Sequence, residues 1–171
     1  MISKEGELVE QFMVDWFIDK GFAVQSVNKR PRKYWYEYDF LAEKEGTIKT
    51  YEVKNDIASG TYGNIAIEIA QGKTDKKPSG IMTSKSDYWV HFVYGWNHYF
   101  IVETPLLRHW MMQLVLDNAE YRIHQNGGDN GNDIMLIPVK QLLKQIEIWG
   151  KKVAVKKIPD FIISEFRGVS C

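Results

Sequence analysis

Asp39-Phe40-Leu41-Ala42-Glu43-Lys44-Glu45-Gly46-Thr47-Ile48-Lys49-Thr50-Tyr51-Glu52-Val53-Lys54 is the stretch on which the fold turns. Residues 34–42 are rich in aromatic and apolar side chains, and 47–54 alternate β-branched and aromatic residues with polar ones, so each reads as a strand. Glu43-Lys44-Glu45-Gly46 between them is a turn signal, which makes the pair a hairpin. A turn centred between Glu45 and Gly46 sets Asp39 opposite Glu52, with side chains about 5 Å apart at Cβ. A glycine bulge at Gly46 would shift that pairing by one residue. Lys54 lies two residues beyond Glu52 and points from the same face. Opposed carboxylates repel, so this pair calls for a cation between them. A hard divalent ion suits oxygen ligands, and Mg²⁺ commonly takes one or two carboxylates together with water and phosphate oxygens.

Upstream, residues 3–20 carry Leu8, Val9, Phe12, Met13, Trp16 and Phe17 at helical spacing, with Ser3 as cap and Gly21 as stop. Glu10 has Met13, Val14 and Phe17 at i+3, i+4 and i+7, which puts it on or beside the apolar stripe. A carboxylate there is costly unless paired or metal-bound. Glu7 has more polar neighbours, so Glu10 is favoured as the inward acid. Residues 22–27 read as a strand. Downstream, 55–63 read as a loop, 65–69 as a strand, 71–80 as a lysine-rich loop and 81–86 as a short helix. Residues 88–94 and 98–103 form a second hairpin about Gly95-Trp96-Asn97. A helix opens at Thr104-Pro105 and runs to about Leu116. A glycine- and asparagine-rich loop spans 126–133, followed by a short strand to 138 and a helix over 139–148. The tail, 151–171, has no clear period. The order implies an α+β fold with one central mixed β-sheet flanked by helices.

With the acid on the first helix and Asp39 and Glu52-Val53-Lys54 on successive strands, the residues resemble the PD-(D/E)xK nuclease superfamily. They look most similar to the archaeal Holliday-junction resolvases and small phage nucleases. Gly6-Glu7-Leu8-Val9-Glu10 followed by Gly21-Phe22 matches the resolvase opening helix. Gly63-Asn64-Ile65-Ala66-Ile67-Glu68 and the run 79–88 resemble a segment of phage and bacterial members. Tyr38 stands where the name-giving proline would. The resemblance covers about residues 4–103. It implies a restriction endonuclease-like core and a Mg²⁺-dependent DNA nuclease, with Mn²⁺ able to substitute. Phosphodiester hydrolysis needs an activated water and stabilised charge, both of which a bound ion supplies. Asp39, Glu52, the Val53 carbonyl and Glu10 are then the expected metal ligands. Lys54 is expected to orient water and offset charge at the phosphate. Glu7, Asn64 and Glu68 are expected accessories. Resolvases of this kind act as dimers, so a homodimer is expected as well. The alternatives are an exonuclease, a non-catalytic nucleic-acid-binding domain of the same fold, or an interaction protein with an aromatic surface.

The rest of the chain sets bounds. Its 171 residues suit one domain, with a core over about 4–118 and an extension over about 119–171. With 22 basic and 22 acidic residues the net charge is zero, so any grip on DNA must be local. Two stretches offer it: Lys29, Arg30, Arg32 and Lys33, and then Lys73, Lys76, Lys77 and Lys85. Tyr34, Trp35, Tyr36 and Tyr38 could stack on bases, although strand aromatics more often pack across strands. The four histidines, 91, 98, 109 and 124, lack metal-ligand spacing, and His91 and His98 are expected to flank the second hairpin. Residues 129–133 suggest a calcium loop but lack the glycine at loop position six and the closing glutamate. Cys171 is the single cysteine and has no histidine partner. The opening residues have no apolar run, and no run approaches the ~20 residues of a membrane span. A cytoplasmic protein is expected, in the host cytoplasm if phage-encoded.

Overall fold

The structure is a computed structural model and describes residues 4–27, 38–127 and 130–166. The two-residue turn forms as the sequence predicts. Glu45 and Gly46 have φ of 52° and 77°, the left-handed pair that a tight hairpin requires and that glycine adopts without strain. With no bulge there, Lys44 pairs with Thr47 and Phe40 with Tyr51.

This hairpin, β2 (Phe40–Lys44) and β3 (Thr47–Asp56), lies inside a six-stranded sheet ordered β1-β2-β3-β6-β7-β10. β1 (Ala23–Ser26) is antiparallel to β2, and β3 runs parallel to β6 (Tyr88–Val93). β7 (His98–Glu103) returns from β6, and β10 (Val153–Lys157) closes the far edge. The fold is α+β, and this central sheet is mixed.

Helices flank both faces. On one side α1 (Lys4–Asp19) and α5 (Asp160–Phe166) pack Val9, Met13, Phe17 and Ile162 against Phe40, Tyr51, Val90 and Phe92. Rings of Phe40 and Tyr51 stack at 5.0 Å and those of Tyr51 and Tyr88 at 5.3 Å, so the aromatic strand residues of this region are cross-strand core. On the other side α3 (Thr104–Leu116) and α4 (Val139–Trp149) set Leu107, Trp110, Leu142 and Trp149 against Trp89, Phe100 and Val102.

The expectation of one sheet needs correction. A second, antiparallel sheet, β5-β4-β9-β8, contains β4 (Asn64–Gln71), β5 (Lys77–Pro78), β8 (Arg122–Gly127) and β9 (Asn132–Pro138). Ile65, Ile67, Met135 and Ile137 bury its inner face in the same core as Trp89. The span after residue 118 therefore supplies strands to both sheets. The loop expected over 55–63 holds a short helix, α2 (Ser59–Tyr62), and the helix expected over 81–86 is a single turn of 3-10 helix, Gly80–Met82. No helix among the described residues is long and apolar enough to cross a membrane.

Candidate active site

β3 divides its side chains by parity. Tyr51 and Val53 join the α1-side core. Glu52 and Lys54 leave the opposite face, where the Lys54 ammonium sits 2.6 Å from a Glu52 oxygen and 5.4 Å from the centre of the Trp89 ring. Their side chains are 16% and 39% exposed, so the pair is open to solvent on one side.

Asp39 corrects one expectation. The hairpin register is the predicted one, yet Asp39 lies just before the first paired residue, Phe40, and its carboxylate is bonded to the backbone of Val53. β2 begins only at Phe40, and the Asp39 N–H still donates to the Tyr51 carbonyl at 2.9 Å. Its side chain turns into the plane of the sheet, where Oδ2 accepts the Val53 N–H at 2.7 Å. The N–H and C=O of one strand residue point the same way, so the Val53 carbonyl faces this position too. Asp39 thus occupies the place where β2 would continue, between the two faces. A short polar side chain that caps a strand end is invisible to a pairing rule built on Cβ positions.

That position lets α1 reach the site from the other face. Glu10 is buried and accepts a hydrogen bond from Ser26 Oγ at 3.0 Å, while Glu7 is exposed. Glu10 and Ser26 line a cleft of ≈ 530 Å³ with Lys4, Glu7, Leu8, Gln11 and Val14. Burial, above all, holds the Glu10 carboxyl above its ordinary range, with Glu52 and Glu7 adding to the effect against Ser26. Burial first and Glu52 second push Asp39 up to about 7, against the pull of Lys54 and the Val53 N–H. Burial alone would lower Lys54, but Glu52 and Asp39 outweigh it and its pKa rises. Glu10, Asp39, Glu52 and Lys54 therefore act on one another electrostatically.

Among the described residues, no three histidine, cysteine or acidic side chains are already spaced as a metal cage. Two carboxylates at a strand end suffice for Mg²⁺, which keeps several waters. Burial first and the neighbouring Glu52 second disfavour the charged Asp39 carboxyl, and a cation would relieve the second of these. The donor set fits a hard divalent ion held by Asp39 and Glu52.

Other expected residues divide. Lys76 is not a free phosphate contact. Its ammonium lies 2.7 Å from each of Asn126 Oδ1, the Gly131 carbonyl and Asp133 Oδ1, and it ties β5 to the β8–β9 turn. Lys77 sits 3.8 Å from Asp75, both exposed. Lys73 is exposed, and Lys85 lines a cavity with Lys49 and Arg108. Glu68 accepts from Ser79 Oγ at 2.6 Å and Asn132 Nδ2 at 2.8 Å. It is a staple of the second sheet, although its charge still reaches Lys54. The Asn64 amide donates to the Tyr62 carbonyl. Lys29, Arg30, Arg32, Lys33, Tyr34, Trp35, Tyr36 and Cys171 lie outside the described residues.

One cluster escaped the sequence. His91 does not flank a hairpin but lies inside β6, fully buried. Its Nε2 is 2.9 Å from Asp56 Oδ2, and Trp89 Nε1–H donates to its Nδ1 at 3.2 Å. Asp56 also accepts the N–H groups of Ala66 and Ser59. A histidine inside an otherwise apolar run was the available signal, because a buried imidazole needs partners.

No family model matches the chain, and no curated protein matches it. Among solved structures it is similar to a bacterial homing endonuclease, I-Ssp6803I, at 14% identity and a TM-score of 0.48. The match covers 86% of this chain and 95% of that one.

Proposed function

We propose that the protein is a Mg²⁺-dependent DNA nuclease of the PD-(D/E)xK kind, an endonuclease that hydrolyses phosphodiester bonds. The observation that supports this reading is the seat of Asp39. Its carboxylate fills the open end of β2 beside Val53, within the electrostatic reach of Glu52, Glu10 and Lys54. A purely structural acid at that point would be expected to collect donors. This one has two further carboxylates for neighbours.

Asp39 and Glu52 would hold the ion, with the Val53 carbonyl facing the same place. When bound, such an ion supplies charge stabilisation and a more acidic water. Glu10, fixed by Ser26, would orient solvent entering from its cleft. Lys54 would turn from Glu52 to the scissile phosphate, because a cation on Glu52 would take up that carboxylate's charge. Its ammonium would then offset negative charge developing on the phosphoryl oxygens. Local lysines and arginines, rather than bulk charge, would position the duplex.

The test is one panel: purified protein with Mg²⁺ or Mn²⁺ and labelled four-way junction, flap, duplex and single-stranded DNA. Cleavage that needs the metal, and is abolished in folded Asp39→Ala, Glu52→Ala and Lys54→Ala proteins, is the expected result. Undiminished cleavage by Glu52→Ala would remove the assignment. DNA binding that is indifferent to metal, with no cutting, would leave a non-catalytic binding domain.

A further inference from the structure

We infer that Trp89 is a positioning residue for Lys54, and that His91 and Asp56 hold it in place. The inference rests on the nuclease reading only for what Lys54 is positioned to do.

The geometry runs through the parallel pair β3 and β6. Glu52 lies beside Trp89 and Lys54 beside His91 in that register. The Lys54 ammonium, 5.4 Å from the Trp89 ring centre, is within the ~6 Å at which an indole face attracts a cation. The indole is 1% exposed and its N–H donates to His91 Nδ1. That donor makes Nδ1 an acceptor, so the ring proton is on Nε2 and goes to Asp56 Oδ2. His91 also stacks on Phe100 at 5.6 Å. Asp56 is gripped by the Ala66 N–H at 2.7 Å and the Ser59 N–H at 3.2 Å. Ser59 Oγ donates to the Asp56 carbonyl and accepts the Tyr94 N–H. Gly95 lets this turn approach: a Cβ there would lie 2.5 Å from the Ser59 carbonyl oxygen.

The consequence lies in how lysine behaves. Its four-carbon stem is flexible, so the place of its ammonium is set by the fixed groups around it. Glu52 is one partner, but Glu52 is also a carboxylate that a cation would claim. The indole face is the partner that remains, and its tilt is set by a buried chain of donors reaching the second sheet at Ala66. A phenylalanine at 89 would offer a face without the N–H that sets its angle, and a leucine would offer neither.

The experiment uses the full chain with isotope-labelled lysine, and the Lys54 Cε–Hε signal is assigned by its absence in Lys54→Arg. A proton held over an indole face is shifted upfield. The upfield shift should be largest in the wild-type protein, smaller in Trp89→Phe and absent in Trp89→Leu. His91→Phe, which keeps the stack on Phe100, should behave like Trp89→Phe. In parallel, kcat for Mg²⁺-dependent DNA cleavage should fall by about threefold in Trp89→Phe and about tenfold in Trp89→Leu with KM unchanged. The same Lys54 signal in wild-type and folded Trp89→Leu proteins overturns the inference. Should Trp89→Leu fail to fold, an unmoved signal in Trp89→Phe and His91→Phe overturns it equally. Lys54 signals that follow the order in a protein that cuts no DNA would sink the nuclease reading and leave the positioning intact.

Discussion

Replacing Asp39 by asparagine should make the metal-free protein more stable, and the gain should depend on pH. The Asp39 carboxyl is pushed up to about 7 from an ordinary 3.8, by burial first and by Glu52 second. The native state therefore holds that proton more tightly than the unfolded chain. Its stabilising effect is fully present below about pH 4 and is lost as pH rises through about 7. At about 1.4 kcal/mol for each unit of pKa, the full rise would cost the ionised native state ~4 kcal/mol. Asp39 is partly exposed, so solvent screening reduces this to about 1–2 kcal/mol at pH 8. Asparagine keeps an oxygen for the Val53 N–H and removes the charge. For a chain of this length, thermal unfolding should rise by roughly 2–8 °C at pH 8, with a clearly smaller rise at pH 5. The same substitution should erase any stabilisation by Mg²⁺. An Asp39→Asn protein less stable than wild type at pH 8, or one whose effect is equal at both pH values, would refute the reasoning.

Three further outcomes follow from the same geometry. Mg²⁺ binding should be weaker by about tenfold at pH 6 than at pH 8, measured by calorimetry, because most Asp39 carboxyls must then shed a proton to bind. Asp56→Ala should destabilise by about 3 kcal/mol or more in denaturant unfolding, because His91 and the N–H groups of Ala66 and Ser59 all lose a buried acceptor. Lys76→Met should lower the melting temperature and leave the salt dependence of DNA binding unchanged, because its ammonium is spent on Asn126, Gly131 and Asp133. A salt slope reduced by about one would return Lys76 to the phosphate contacts.

Local chemistry was legible and long-range pairing was not. The Glu45-Gly46 turn, the register it imposes and the proline-opened α3 each rest on a few adjacent residues, and each appears where the sequence puts it. The burial of Glu10 and the exposure of Glu7 follow from helical spacing alone. The second sheet rests on partners far apart in the chain: Ile65 pairs with Ile137, and Arg122 with Leu136. β8 is polar and exposed along most of its length, and β10 is five residues that end in a lysine pair, so no sustained hydrophobic period announces either. At the site, pairing rules located Asp39 but not its side chain, because the strand ends there and the carboxylate is drawn to an N–H in the sheet plane. Asp56 was lost inside a loop and His91 inside an apolar run, although together they form one buried pair.

The acids near Lys54 differ in how they are satisfied, and the difference separates scaffold from site. Asp56 takes His91 and two backbone N–H groups, and Glu68 takes a hydroxyl and an amide. Each is a carboxylate whose oxygens are directed at fixed donors, and removing it would leave those donors stranded. Asp39 takes the Val53 N–H in a setting where burial and Glu52 both disfavour its charge. Holding an acid there costs stability, and nothing in the packing of Phe40 or Tyr51 requires it, since the core on that face is apolar. An amide side chain, which keeps an oxygen for the Val53 N–H, would serve the fold better at position 39. A cation between Asp39 and Glu52 would offset their mutual repulsion, which stands second to burial among the causes of the raised Asp39 pKa.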